Sequence, residues 1–242
     1  MSLARPQTSA ARIPTQERLI IALDVANAAE AQRLVQSIGD AAVIYKVGLQ
    51  LFTAEGPQLV KDIVSSGKKV FLDLKLHDIP NTVAGAVKSI TGLGCSFLTV
   101  HTSGGSKMLK AAVDAAAPNP LMILGVTVLT SLDDSDLAEV GQPAAREQVL
   151  RLARLALRAG CGGIVASPQE VSELRGALGE TMRIVAPGIR PSGSASDDQA
   201  RTATPADAIR SGADYLVVGR PITQHAEPVA ATRAMLREIE SA

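Results

Sequence analysis

The chain has 242 residues, 46% of them hydrophobic, and its 24 basic and 24 acidic side chains balance to a formal net charge of zero. This length is typical of one (β/α)8 barrel, and the apolar content is enough for one large core. Nucleic-acid binders usually carry a basic excess and stacking aromatic side chains, whereas this chain has no Trp, two Tyr and three Phe, so we expect no nucleic-acid partner.

The chain begins with a segment, residues 1–16, that contains Arg, Ser, Thr and Pro but no acidic residue. We expect a disordered tail here, and an organelle transit peptide is the alternative because its composition is similar. Residues 17–242 then form the folded domain. No apolar run reaches the ~18 residues that span a membrane, so we expect a cytoplasmic protein without a membrane partner. Cys95 and Cys161 lack CxxC spacing, and we expect both to be small buried residues.

Short apolar runs rich in Val, Ile and Leu alternate along the folded domain with segments of helical periodicity. Such alternation is typical of a parallel sheet covered by helices. The strands are predicted at residues 19–23, 43–47, 69–74, 97–100, 121–128, 163–165, 183–185 and 215–218. The helices are predicted at residues 28–37, 57–66, 82–91, 107–117, 144–158, 168–178, 205–211 and 228–240.

Eight strand–helix units favour a closed (β/α)8 TIM barrel in a single domain. An open, doubly wound sheet is the alternative architecture. The first strand, however, leads into Asp-Val-Ala-Asn and not into the GxGxxG segment of doubly wound dinucleotide-binding proteins. We therefore predict the barrel.

Charged residues cluster where several predicted strands end, which is where a barrel places its active site. Asp24 follows strand 1, Lys46 lies late in strand 2, and Asp73, Lys75 and Asp78 lie at and beyond the end of strand 3. Strand residues two apart share a face, so Asp73 and Lys75 are predicted to point into the barrel mouth together. Desolvated charges are tolerated when they are paired. The cluster is either a structural ion-pair network or, as we favour, a functional site.

The segment DLKLHDIPNT at residues 73–82 closely resembles the active-site segment of orotidine 5'-monophosphate decarboxylases. KVG at residues 46–48 resembles that family's second-strand motif, and VTVLTS at residues 126–131 resembles the end of its fifth strand. PGIRP at residues 187–191 and VGRPIT at residues 218–223 resemble its phosphate-binding ends of strands 7 and 8. The resemblance implies an enzyme that converts orotidine 5'-monophosphate to uridine 5'-monophosphate and CO2 in de novo pyrimidine biosynthesis, without a metal or a cofactor.

The resemblance also implies roles for individual residues. Lys75 matches the proton donor, and Asp73, Lys46 and Asp78 complete a Lys-Asp-Lys-Asp array in which Lys46 and Asp73 also touch the substrate. In the family the last Asp and the following Thr reach across a dimer interface, which implies a homodimer with Asp78 and Thr82 in the partner's site. The other implied contacts are Asp24 for the ribose, Thr130 and Ser131 for the pyrimidine, and Pro187, Arg190, Gln199, Gly219 and Arg220 at the phosphate end.

The chemistry of this reaction explains the need for such residues. Decarboxylation leaves a carbanion at C6 of the pyrimidine, and no thiamine, pyridoxal or metal motif is present in the sequence to accept the electrons. A fixed cation at that carbon, which then delivers a proton, fits Lys75. Asp73 is expected near the substrate carboxylate, where its repulsion is relieved as CO2 leaves.

The segment SGSASDDQ at residues 192–199 is too rich in Ser, Gly and Asp to pack in a core. We expect the loop at residues 191–204 to be a lid that closes over the phosphate with Gln199 as its clasp, and an idle surface loop is the alternative. His77, His101 and His225 are expected to have supporting or structural roles.

Two alternative functions remain. Keto-gulonate-phosphate decarboxylases and hexulose-phosphate synthases also carry DxKxxD, but they bind magnesium with an acidic residue where this chain has Lys46. A cation at that position repels a metal ion, so Lys46 disfavours this alternative. A non-catalytic nucleotide-binding barrel is the other, and the intact Asp73, Lys75 and Asp78 favour an enzyme.

Overall fold

The computed structural model describes residues 13–191 and 202–242, and this part of the chain forms a closed barrel of eight parallel strands. The strands are β1 (Leu19–Ala22), β2 (Ile44–Gly48), β3 (Lys69–Leu76), β4 (Phe97–His101), β5 (Met122–Val126), β6 (Gly163–Val165), β7 (Arg183–Ala186) and β8 (Tyr215–Val218). Each strand pairs with the next along the chain, and β8 pairs back to β1. The predicted (β/α)8 TIM barrel is confirmed.

Helices follow the strands and cover the outside of the barrel. They are α1 (Ala28–Ile38), α2 (Leu49–Ser65), α3 (Pro80–Thr91), α4 (Gly105–Ala116), α5 (Asp134–Glu139), α6 (Ala145–Ala159), α7 (Val171–Leu178), α8 (Pro205–Arg210), α9 (Arg220–Thr223) and α10 (Pro228–Glu240). Most match the predicted helices within a few residues. The short helices α5 and α9 were not predicted, because six and four residues are too few to display a helical period.

The start of α2 differs most from its prediction. The helix begins at Leu49, before the predicted start at residue 57. Gly56 has φ 67° and ψ −162°, which interrupts the helix, and Pro57 then occupies a position that suits a first helical turn. The predicted helix is therefore the second half of α2, and the first half follows β2 without a loop.

Two apolar layers hold the barrel together. Alternate strand residues point inward and form the cluster that fills the barrel, which includes Ile20, Ile44, Phe71 and Phe97. The strand residues between them point outward and pack against the buried faces of the helices. The rings of Phe71 and Phe97 meet edge to face with centroids 6.0 Å apart. Such a pair contributes about 0.5–1.5 kcal/mol beyond its area burial.

The amino-terminal end of the barrel is closed by an ion network around Asp214. Its carboxylate accepts hydrogen bonds from Arg175 at 2.5 Å, from Arg183 at 2.7 Å and from the Ile184 N–H at 2.8 Å. Arg18 donates to the Asp214 carbonyl at 3.3 Å. Residues at this end of a TIM barrel typically contribute to stability, whereas the opposite end carries the active site.

The described chain reaches the barrel through a 3-10 helix, Thr15–Arg18, in which the Gln16 side chain donates to the Asp40 carbonyl. The predicted tail therefore overlaps the described structure at residues 13–16, and residues 1–12 lie outside the described residues. Cys95 and Cys161 are buried, as predicted, and burial raises the pKa of each thiol to about 12. Among the described residues, no helix has the length and apolar character to cross a membrane.

Candidate active site

Charged side chains continue the inward-facing rows of neighbouring strands at the carboxyl end of the barrel. Lys46 lies two residues after the inward-facing Ile44 in β2, and Asp73 lies two residues after the inward-facing Phe71 in β3. Asp24 lies just beyond the end of β1. Alternate strand residues point into the barrel. They are apolar within the barrel and charged at its mouth.

Two lysines converge on one carboxylate in this mouth. Lys75 Nζ lies 2.9 Å from both carboxylate oxygens of Asp73. Lys46 Nζ lies 3.8 Å from Asp73 Oδ2 and 2.9 Å from Asp24 Oδ1. The Lys46 and Asp73 side chains are only 12% and 13% exposed, so their mutual pairing compensates for lost hydration. Gly48 leaves room for this contact, since an added Cβ would lie 3.0 Å from Lys46 Nζ.

The backbone of β3 is irregular where it carries Asp73 and Lys75. Its pairing register with β4 shifts between Leu72 and Leu76, and Lys75 has φ 49°, the one positive value at a non-glycine residue within the described ranges. The Lys75 N–H donates to Thr99 Oγ1 at 2.8 Å, and that hydroxyl donates to Asp73 Oδ1 at 2.9 Å. The side chains of Asp73 and Lys75 lie together, as predicted. The backbone between them, however, contains a register shift, so the contact does not arise from the regular alternation of a strand.

A cavity of about 490 Å³ opens at this end of the barrel. Its size is within the ~300–1,000 Å³ typical of small-molecule sites. The predicted site residues that line it are Asp24, Lys46, Asp73, Lys75, Thr130, Pro187, Arg190, Gly219 and Arg220. β3 and β7 are four strands apart in an eight-stranded barrel, so Asp73 and Arg190 belong to opposite sides of the mouth.

The ends of β7 and β8 form a cationic wall of the cavity. Arg190 is 9% exposed, and its Nη1 donates to the Ile189 carbonyl at 3.0 Å. Its Nε is buried and has no hydrogen-bond partner among the described residues. Gly219 precedes the short helix α9, which begins at Arg220. Phosphate sites of TIM barrels are frequently built from the loops after strands 7 and 8 and a short extra helix, and an anion here would satisfy the buried guanidinium.

Other predicted site residues lie away from the cavity. Asp78 and Thr82 are exposed, beyond the end of β3 and in the first turn of α3. Asp78 Oδ1 accepts a hydrogen bond from the next backbone N–H at 2.6 Å. Ser131 is exposed and lines a separate depression beside Thr130. Gln199, together with residues 192–201 of the predicted lid, lies outside the described residues.

The histidines predicted to have supporting roles include a pair beside the charged cluster. The rings of His77 and His101 have centroids 5.5 Å apart and an interplanar angle of 34°. Burial lowers the pKa of His101, the electrostatic effects of His77 and Lys75 lower it further, and Asp73 raises it. Neither ring lines the cavity.

Residues 17–235 match the family model described as Orotidine 5'-phosphate decarboxylase / HUMPS family. The chain belongs to this family. The orotidine 5'-phosphate decarboxylase of Anaeromyxobacter sp. (strain K) is 51% identical over 220 residues, which are 90% of this chain and 96% of that protein. The protein of the same name from Moorella thermoacetica is 49% identical over 239 residues, 95% of this chain and 94% of that protein.

Comparison with solved structures leads to the same family. The crystal structure of orotidine 5'-phosphate decarboxylase from Lactobacillus acidophilus superimposes on this chain with a TM-score of 0.84 at 40% sequence identity. The superposition covers 92% of this chain and 99% of that chain. The resemblance to the decarboxylase family that the motifs indicated is therefore confirmed.

Two polar residues, Thr99 and Gln224, have a place at the site that the sequence analysis did not predict. Thr99 links Asp73 and Lys75 through its buried hydroxyl. A signal for it existed, because Thr99 lies two residues after the inward-facing Phe97 in β4 and therefore shares its face. Gln224 lines the cavity near the end of α9, a helix too short to be recognised from the sequence.

Proposed function

We propose that this chain decarboxylates orotidine 5'-monophosphate to uridine 5'-monophosphate and CO2, a step of de novo pyrimidine biosynthesis, without a metal or a cofactor. The observation that carries the proposal is the contact of Lys75 with Asp73 in a cavity whose other side bears the buried Arg190. Membership of the family and the names of the similar proteins support the same reaction.

The phosphate orients the substrate across the barrel mouth. Arg190 and Arg220 supply charge-assisted hydrogen bonds to the phosphate, and Pro187 and Gly219 form the adjoining backbone wall. Asp24 contacts the ribose. With the phosphate held beyond β7 and β8, the pyrimidine extends toward β3. Binding energy at the non-reacting phosphate is then available to hold the reacting end.

At the reacting end, Thr130 and Ser131 contact the pyrimidine while C6 faces Lys75. The bond from C6 to the carboxylate carbon breaks, its electron pair stays on C6, and CO2 leaves. The Lys75 ammonium stabilises the carbanion and then transfers a proton from Nζ to C6. Opposite charges about 4 Å apart attract by on the order of 4 kcal/mol at an effective dielectric of ~20. That corresponds to roughly a thousandfold in rate, so oriented binding must contribute as well.

Asp73 and Lys46 prepare this step. The Asp73 carboxylate holds the Lys75 ammonium from two oxygens and lies where the substrate carboxylate must approach. Repulsion between the two carboxylates favours the departure of CO2. Lys46, between Asp24 and Asp73, balances the negative charge that accumulates when the substrate enters.

Lys46 also supports the metal-free reaction over the sugar-phosphate reactions of related enzymes. Its ammonium contacts both Asp24 and Asp73, so a cation already fills the position between these carboxylates where a magnesium ion would compete with it. Within residues 13–191 and 202–242, no group of three or more His, Cys, Asp or Glu side chains is arranged to hold a metal ion.

The proposal includes a homodimer with shared sites. Asp78 and Thr82 lie outside their own cavity, and Ile79 between them is 67% exposed. A partner subunit would bury Ile79 and bring the Asp78 carboxylate to the partner's Lys75. Closure of loop 191–204 with Gln199 on the phosphate, the cytoplasmic location and the absence of nucleic-acid partners stay predictions.

The test follows the loss of orotidine 5'-monophosphate absorbance with purified protein after exhaustive chelation with EDTA. Full activity is expected in EDTA and no increase on addition of magnesium. Activity that vanishes in EDTA and returns only with magnesium would contradict the metal-free reaction. Absence of turnover under both conditions, by protein that binds uridine 5'-monophosphate, would contradict the decarboxylase and favour a binding protein.

A further inference from the structure

Thr99 lies on β4 directly beside the irregular part of β3. Its side chain is 0% exposed, and its hydroxyl makes two hydrogen bonds to residues that the proposed mechanism uses. As an acceptor it receives the backbone N–H of Lys75 at 2.8 Å, and as a donor it contacts Asp73 Oδ1 at 2.9 Å. Because the hydroxyl is fully buried, water cannot replace either contact.

The backbone contact acts on the direction of the Lys75 side chain. Lys75 has φ 49°, in the left-handed region that a non-glycine residue seldom occupies. The Lys75 N–H lies where the pairing register of β3 with β4 shifts, and it donates to the Thr99 side chain. The Thr99 hydroxyl is the acceptor for this N–H, so it stabilises the backbone conformation from which the lysine ammonium reaches Asp73.

The side-chain contact acts on the rotation of the Asp73 carboxylate. Oδ1 accepts from both Thr99 and Lys75, while Oδ2 faces Lys75 at 2.9 Å and Lys46 at 3.8 Å. The hydroxyl proton of Thr99 is directed to Oδ1 because its acceptor lone pair already holds the Lys75 N–H. One side chain therefore fixes both partners of the central ion pair.

We propose that Thr99 is a positioning residue of the decarboxylation site, which sets the geometry of Lys75 and Asp73 without touching the substrate. This inference rests on the proposed function. Thr99 does not line the cavity, so its removal should leave the proposed contacts of the phosphate and the ribose intact. The effect of losing the hydroxyl thus belongs to the chemical step and not to substrate binding.

The test compares Thr99→Val, which keeps the shape and removes both hydrogen bonds, with Thr99→Ser, which keeps the hydroxyl. Misplacement of a reacting group by ~1 Å lowers rates by about 100-fold, and we expect a fall in kcat of that order for Thr99→Val. KM and the Kd for uridine 5'-monophosphate should stay within about threefold of wild type. Thr99→Ser should recover most of the lost kcat.

Thr102→Val is the matched control. Thr102 is also fully buried, three residues further along, but its hydroxyl has no hydrogen-bond partner among the described residues. Its kcat should equal that of the wild type. Thr99→Ala, which also lacks the hydroxyl and is smaller, replaces Thr99→Val in the same comparison if the valine variant does not fold.

Three results would overturn the inference. They are a kcat for Thr99→Val within about threefold of wild type, an equal loss in kcat and nucleotide binding, and a loss that Thr99→Ser does not reverse. A crystal structure of Thr99→Val separates this inference from the proposed function, since it needs no turnover. If wild type does not decarboxylate, the proposed function fails. Independently of turnover, the positioning of Lys75 by Thr99 fails if residue 75 keeps its positive φ and its contact with Asp73 in the variant.

Discussion

Lys75 and Asp73 form a two-point contact in which the lysine Nζ lies 2.9 Å from each carboxylate oxygen. The lysine side chain is 30% exposed and its ammonium borders the cavity. Asp73 is therefore held among protein groups, whereas the Lys75 ammonium is accessible to a substrate in the cavity. Removal of either member leaves a partly buried charge without its main partner.

We expect Lys75→Ala to abolish measurable turnover while the barrel still folds. The variant loses the ammonium group that is proposed to stabilise the carbanion and to donate the proton. Turnover is measured by absorbance and folding by circular dichroism. Lys110→Ala is a matched control, because Lys110 forms an exposed ion pair with Asp114 on α4, and it should keep wild-type kcat. A kcat for Lys75→Ala above about a tenth of wild type, a loss of under ~1.4 kcal/mol, would exclude Lys75 as the acid.

We expect Arg220→Ala to weaken the binding of nucleotide phosphates and to leave binding of the bare nucleoside nearly unchanged. Arg220 lines the cavity at the start of α9, on the side where the phosphate is proposed to bind. A hydrogen bond to a charged group contributes about 1.5–3 kcal/mol, so the Kd for uridine 5'-monophosphate should rise at least tenfold. Calorimetry of uridine and its 5'-monophosphate measures both affinities.

Arg146→Ala is the control for Arg220→Ala, since Arg146 makes an exposed ion pair with Glu173 on the outer helices and should affect neither affinity. An equal loss for nucleotide and nucleoside would show that Arg220 does not recognise phosphate.

Most strands of the fold were predictable because they are short runs that are largely buried on both faces. In β1, for example, Leu19–Ala22 are all buried, and with Leu23 they form a continuous apolar segment between Arg18 and Asp24. The features that were missed depend on single residues or short spans. Gly56 has a positive φ that divides α2, and α9 has four residues, so neither produces a periodic pattern.

The charged part of the site was predictable because residues two apart in a strand share a face. Asp73 is two residues after the inward-facing Phe71, and Lys46 is two residues after the inward-facing Ile44, so both side chains point into the barrel mouth. The left-handed backbone of Lys75 was not predictable, because it lies at a register shift between β3 and β4, and sequence spacing within β3 carries no information about that shift. The proposed place of Asp78 in a partner's site depends on a second subunit, which no pattern within one chain specifies.

The stability of the protein is expected to fall in mild acid partly through His101. Burial lowers its pKa, with further lowering by His77 and Lys75 that Asp73 opposes. A histidine with a lower pKa in the folded state binds fewer protons when folded, so its contribution is complete above about pH 6.5 and is lost as the pH falls through the folded-state pKa. The free energy of unfolding, measured in urea at pH 7, 6 and 5, should decrease less in His101→Gln than in wild type. An identical decrease in both proteins would contradict this assignment.

Dimerisation and activity are expected to be coupled through Asp78. Its carboxylate is exposed beyond β3, in a segment that Pro80 leads into α3, and it lies outside its own cavity. If it completes the partner's site, then Lys75→Ala and Asp78→Ala carry lesions in different sites of a mixed dimer. One site of that dimer has both lesions and the other has neither. Mixing the two inactive variants should therefore restore activity.

Random exchange makes about half of the dimers mixed, each with one intact site, which limits recovery to roughly a quarter of wild type. The exchange itself is verified with differently tagged subunits. Lys75→Ala mixed with Asp73→Ala is the control, because both lesions lie on one side of the interface, and every site of its mixed dimers keeps one lesion. Recovery in the first mixture and not in the second identifies a composite site. No recovery in the first mixture despite verified exchange means that Asp78 acts within its own chain.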